Sequence, residues 1–149
     1  MTTHTTPTVW IAGKEQRAVE SYLQRIAPFA DSHELSEGEL ERSPSRILHN
    51  VASRATAWFL VTAADRWTPE LTDLAAQCRA ANSGFRCLVV ADWEALSEEQ
   101  RRVWPADTLF LPTSSLSTTI IDRLRSETHV NRIATHRRRQ IERLQKRTA

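Results

Sequence analysis

Eight polar or aromatic residues follow the apolar runs of this sequence closely enough to meet at one edge of a fold: Lys14, Asp65, Arg66, Trp67, Asp92, Trp93, Thr113 and Ser114. Lys14 and Arg66 have the charge to hold an anion there, and Trp67 or Trp93 offers a flat face on which a planar group would stack. A second group is cationic. Residues 129–149 carry Arg132, Arg137, Arg138, Arg139, Arg143, Lys146 and Arg147 against one acidic residue, a net of +6, whereas residues 1–128 carry 13 Lys and Arg against 17 Asp and Glu, a net of −4. Cations in such a segment neutralise phosphates, giving nucleic-acid binding that weakens steeply with salt. Without a helix-turn-helix signature, those contacts would fall on the backbone rather than on base edges. The same arginines could instead dock on the acidic Glu34–Glu41 stretch of a second copy or on another protein.

Other chemistries lack their residues. His33, His49, His129 and His136 show no ligand spacing on one face, and Gly13, one of three glycines, stands alone without a phosphate-cradling loop. Neither a metal nor another cofactor is expected. Cys78 and Cys87 stand among apolar neighbours and read as buried, reduced thiols.

The elements that must position these groups alternate between short apolar runs and helical spacing. Ala57 to Thr62 (Ala-Trp-Phe-Leu-Val-Thr) is uncharged and too short for a helix, so it reads as a central parallel strand buried on both faces. Before it, Thr8–Ala12 is a strand closed by Gly13, and Val19, Tyr22, Leu23 and Ile26 mark a helix that Pro28 stops. The acidic stretch Asp31–Ser43 offers only a short edge strand near Ser32–Leu35. Ser43-Pro44 is a helix start whose apolar face is Ile47, Leu48, Val51 and Ala55.

After the central strand, Thr68-Pro69 opens a helix that buries Leu71, Leu74, Ala75 and Cys78 and ends at Asn82-Ser83-Gly84. Arg86–Ala91 is a second buried strand, and Ser97 with Gln100 has capping-box spacing for a short helix ended by Trp104-Pro105. Thr108–Leu111 is the last strand. A helix opening near Ser114 or Ser115 then buries Leu116, Ile120, Ile121 and Leu124. Strands alternating with helices and joined by right-handed crossovers predict an α/β, flavodoxin-like, doubly wound parallel sheet of five strands, order 2-1-3-4-5. Residues 1–7 are expected to be a disordered tail, 8–128 the α/β domain, and 129–149 a long basic helical extension. No run approaches the ~18 apolar residues of a membrane span, and the polar N-terminus carries no secretory pattern. A cytoplasmic protein without a membrane partner is expected.

Across residues 8 to 126 this order of elements resembles the receiver domain of bacterial response regulators, most closely at Ala106-Asp107-Thr108-Leu109-Phe110-Leu111-Pro112 and the helix with Leu116, Ile120 and Leu124. Receivers take a phosphoryl group on an aspartate ending the third strand, beside an acidic pair after the first strand that holds magnesium. They also use a hydroxyl residue ending the fourth strand and a lysine before the proline after the fifth. Here the corresponding residues are Thr62, then Gly13, Lys14 and Glu15, then Ala91 and Leu111. The resemblance therefore implies a degenerate pseudo-receiver that phosphorylation does not switch. It implies a regulatory or assembly module that acts by protein contact, as a dimer or with another protein.

Glu70, at the start of a helix that follows an apolar strand, also resembles the glutamate of the TIR and nucleoside deoxyribosyltransferase group. That second resemblance implies cleavage or exchange of an N-glycosidic bond. The bland account is that a carboxylate in a first helical turn stabilises the helix dipole.

Overall fold

The computed structural model describes residues 6–13, 15–62 and 69–128. Residues 1–5 of the tail expected over 1–7, and the basic helix expected over 129–149, lie outside them. Five strands, β1 (Thr8–Ala12), β2 (Asp31–Glu34), β3 (Ala57–Val61), β4 (Phe85–Val90) and β5 (Leu109–Leu111), form one parallel sheet in the order β2-β1-β3-β4-β5. The helices are α1 (Gln16–Ile26), α2 (Glu37–Arg42), α3 (Pro44–Ala52), α4 (Pro69–Ala81), α5 (Glu98–Arg102) and α6 (117–128), with a 3₁₀ turn at Trp93–Ala95. The fold is the flavodoxin-like, doubly wound α/β arrangement that the alternation of elements predicts.

Side chains on successive strand positions point to opposite faces, and the core divides accordingly. Trp10, Phe59, Val61, Cys87 and Val89 pack with α3 and α4 on one face. Val9, Ile11, Trp58, Leu60, Leu88 and Val90 pack with α1 and α6 on the other. All five residues of β3 are buried, so the central strand is covered on both sides. Both cysteines are free and buried. Burial pushes the Cys78 thiol up to about 12 and that of Cys87 higher still, which leaves both unreactive at neutral pH.

Three elements differ from the sequence reading. The acidic stretch contains α2 as well as the edge strand: the Ser36 hydroxyl accepts from the Glu39 N–H at 3.2 Å, and the helix is pinned by the buried Leu35 and Leu40. Two apolar residues in that stretch are too few for a period to show. The last helix starts at 117, because Ser115 N donates to Pro112 O and closes a turn first. Leu116 then lies ahead of the helical face and is 70% exposed, whereas Ile120, Ile121 and Leu124 are buried as expected. Thr6 and Pro7, placed in the tail by the sequence, are bonded to the body: Pro7 O accepts from Asp31 N at 2.8 Å and Thr6 O from Arg54 Nη1 at 3.1 Å.

Asn82 holds the entry to β4 against the end of α3. Its Nδ2 donates to Val51 O (2.9 Å) and Arg54 O (2.8 Å), while its Oδ1 accepts from Gly84 N (2.8 Å). The approach is close enough that a Cβ on Gly84 would overlap the carbonyl oxygen of Ala55, so this turn requires glycine. At Ser97 the capping box is complete, with Gln100 N donating to Ser97 Oγ (3.2 Å) and Ser97 N to Gln100 Oε1 (2.9 Å). Asn82→Ala leaves carbonyls at the α3 end unpaired, at about 1–3 kcal/mol for each buried group. Urea denaturation of the variant is expected to show a loss of at least about 2 kcal/mol.

Candidate functional site at the carboxyl ends of the strands

In an open parallel sheet the neighbouring connections of β1 and β3 run to opposite faces and leave a crevice beyond their carboxyl ends. Here its floor is tight. Thr62 N donates to Ala12 O at 2.9 Å, and a Cβ on Gly13 would overlap both Val19 Cγ2 and Thr62 Oγ1. Gly13 thus serves close packing between the β1 exit and α1. Of the residues expected above this floor, Lys14, Asp65, Arg66 and Trp67 lie outside the described residues, as do Arg132, Arg137, Arg138, Arg139, Arg143, Lys146 and Arg147 of the basic segment. Glu70 is exposed in the first turn of α4, where its charge favours the helix dipole.

The ends of β4 and β5 bring Asp92, Trp93 and Thr113 together. The Asp92 carboxylate accepts from Thr113 N (3.0 Å) through one oxygen and from Thr113 Oγ1 (2.9 Å) through the other, so it ties the β4 exit to the β5 exit. Two charge-assisted bonds engage both of its oxygens internally. Ser114, next along the turn, is exposed.

Trp93 is 48% exposed yet held from several sides. Its ring meets Phe110 edge-on (centroids 4.9 Å apart, 66°), the Arg101 guanidinium lies 4.7 Å from its centroid, and Arg101 Nε and Nη2 donate to its carbonyl at 3.0 and 2.6 Å. The two ring contacts restrict rotamers that exposed tryptophans normally sample, and the bonds to its carbonyl hold the backbone of that turn. Beside it runs an open groove of about 590 Å³, walled by Phe110, Pro112, Ala91 and the Asp92–Ala95 turn. Phe110 and Arg101 were not recognisable as site residues, since nothing in their local sequence says that β5 and α5 converge on Trp93.

A second concavity lies at the opposite edge of the sheet. Trp10 and His33 are paired in the β1–β2 register, and their rings stack 4.5 Å apart at 25°. Trp10 Nε1 donates to Asn50 Oδ1 at 3.1 Å, which also accepts from Thr8 Oγ1 at 3.3 Å, so α3 fixes the indole. The cavity above the pair measures about 220 Å³. The sequence offers His33 only as a potential metal ligand; its pairing with Trp10 depends on strand register, which the sequence does not display. Among the described residues, no three His, Cys, Asp or Glu side chains converge as metal ligands, and no helix is long and apolar enough to cross a membrane.

Burial holds the His33 imidazole below its ordinary pKa, more than Asp31 and Glu39 raise it, while Arg54 and Arg46 act in the same direction as burial. The unfolded chain therefore binds a proton near pH 6.5 that the folded chain resists. Stability should be unaffected by this group above about 6.5 and fall as pH drops through the lowered folded value. Urea midpoints at about pH 7.5 and pH 5 check this: the wild type is expected to lose more stability on acidification than His33→Phe, which keeps the stack without the titration.

No protein-family model, no curated protein and no solved structure matches this chain.

Proposed function

We propose that this chain is a non-catalytic regulatory or assembly module that acts by protein contact at the β4–β5 edge, with a second copy of itself as the first partner to test. The observation that carries this reading is Trp93: large, half exposed, and fixed by Phe110 and Arg101 beside an open groove. Protein interfaces are dominated by such rigid aromatic and arginine anchors, which form contacts with little further entropy to lose. The internal engagement of Asp92 by Thr113 also supports it, because it leaves the aromatic surface, with Glu94 as its one unpaired charge among the described residues, as what this edge presents.

The receiver resemblance fits the same reading. With Thr62, Ala91 and Leu111 at the corresponding strand ends, the chain has no carboxylate there to accept a phosphoryl group and no lysine before Pro112. A pseudo-receiver of bacterial type, working in the cytoplasm as a dimer or with another protein, is the concrete form of the proposal.

Sedimentation equilibrium of the full chain tests it. Trp93→Ala is expected to weaken self-association by about tenfold or more, the scale of an interface anchor, while Gln77→Ala on the exposed side of α4 leaves it unchanged. A photo-crosslinking residue at position 93 that joins neither a second copy nor another protein would overturn the reading. So would turnover of a nicotinamide dinucleotide or a deoxynucleoside that Glu70→Ala abolishes, since that result belongs to an N-glycosidic enzyme.

A second reading is favoured by the charge of residues 129–149, +6 beside a body of −4: contact with nucleic-acid backbone. Anisotropy of labelled random-sequence duplex should then show affinity falling steeply with salt. Replacing Arg137, Arg138 and Arg139 by alanine should lower the log–log salt slope by about 2–3. An unchanged slope excludes these arginines from phosphate contact.

A further inference from the structure

The cavity over Trp10 and His33 differs in kind from the groove beside Trp93. α2 and α3 overhang the carboxyl end of β2 there, and Glu34 and Glu39 line it together with Arg46 at the start of α3. Among the described residues, none of these three side chains enters an ion pair or a side-chain hydrogen bond. With His33 neutral at physiological pH, two carboxylates and one guanidinium give the lining a net charge of −1. The rest of the wall is the His33 imidazole stacked on the indole of Trp10, which Asn50 locks, together with Ser43 and with Ile47 on the inner face of α3. A volume of about 220 Å³ falls below the ~300–1,000 Å³ of pockets for drug-sized ligands, which sets the occupant at amino-acid size.

Unpaired groups of both signs around a fixed aromatic face call for a ligand that carries both signs itself. We infer that the cavity binds a free amino acid with a cationic side chain. Its α-carboxylate pairs with Arg46, its α-ammonium and side-chain cation pair with Glu34 and Glu39, and its aliphatic stem lies against the edge of the stacked Trp10–His33 pair. Each charge on the wall then meets its opposite, and the ligand's net charge of +1 balances the wall's −1. A guanidinium matches a carboxylate through two parallel bonds, which makes L-arginine the first probe and L-lysine the second. This inference does not depend on the docking role of Trp93 and can succeed or fail without it.

The experiment uses the full chain, following the Trp10 indole N–H resonance by NMR and the heat of binding by calorimetry. The probes are L-arginine, L-lysine, agmatine, which lacks the carboxylate, and L-citrulline, which lacks the side-chain charge. Saturable binding of L-arginine or L-lysine that moves the Trp10 resonance is expected, with agmatine and citrulline each weaker by about tenfold or more, the worth of one charged hydrogen-bonded contact. Arg46→Gln should erase the preference of arginine over agmatine, and the paired change Glu34→Gln with Glu39→Gln should erase that of arginine over citrulline. The ligand-free Trp10 resonance of each variant reports that the cavity is still folded. No saturable shift in the millimolar range, or preferences unchanged by these substitutions, overturns the inference. Agmatine binding as tightly as L-arginine overturns it too, because the cavity would then be a socket for arginine side chains, such as those of residues 129–149.

Discussion

A strand that is apolar at every position has to be covered on both faces, and β3 imposes that condition on the rest of the chain. Ala57, Trp58, Phe59, Leu60 and Val61 alternate between the two halves of the core, so neither half can be left to water. Exposing either face would forfeit about 1.5–3 kcal/mol for each large side chain. Two layers of helices are the consequence, and parallel neighbours β1 and β4 follow, because only crossover connections place helices on the faces. The carboxyl ends of all five strands then lie at one end of the sheet, which is why the two concavities lie toward that end, one beside the β4 exit and one under α2 and α3.

Burial on both faces also explains where the polar contacts fall. Asn82 and Asn50 sit at the margins of the helix layer, each satisfying backbone or indole groups that the packing of α3 has taken away from water. A buried polar group without a partner costs more than a made hydrogen bond returns, so these two amides fix positions rather than add much net stability. Asn82 sets how β4 enters the sheet beside β3, and Asn50 sets how α3 lies over Trp10. The Trp10–His33 stack therefore depends on a residue on a helix forty positions after Trp10 in the chain.

Most of the architecture was legible in the sequence because it rests on period and punctuation. The strands at Thr8, Ala57 and Phe85, the proline starts at Pro44 and Pro69, and the Ser97 capping box lie within a residue or so of where pattern places them. What escaped is what pattern cannot carry. The six-residue α2 has one apolar residue, Leu40, and its one clue is local, since Ser36 and Glu39 stand at the same capping spacing as Ser97 and Gln100. Leu116 has the right residue type at a helical interval, but the turn closed by Pro112 and Ser115 delays the helix past it. Of the site residues, those named from strand ends, Asp92, Trp93 and Thr113, do meet, because a parallel sheet gathers its strand ends. Phe110, Arg101, Trp10 and His33 were not legible as partners, because their pairing depends on register and on the path of α5.

The two concavities divide by what their charges have left to do. At the β4–β5 edge Asp92 is already engaged by Thr113 and Arg101 by the Trp93 carbonyl and ring, and among the described residues of the groove lining only Glu94 keeps an unpaired charge. A partner arriving there meets mostly groups whose hydrogen bonds are made, and it gains more by excluding water from an aromatic surface than by pairing the one charge of Glu94. Under α2 and α3 the opposite holds: Glu34, Glu39 and Arg46 face a cavity with their charges unspent, against an indole that cannot turn. Engaged charges give a surface that recognises shape, and free charges give one that recognises ions. Both lie over the same face of the sheet, at its two edges, with α3, α4 and the core of β1, β3 and β4 between them. An ion held by Glu39 and Arg46 bears directly on α2 and α3, the layer that packs on that core, whereas Trp93 answers to β4 and β5.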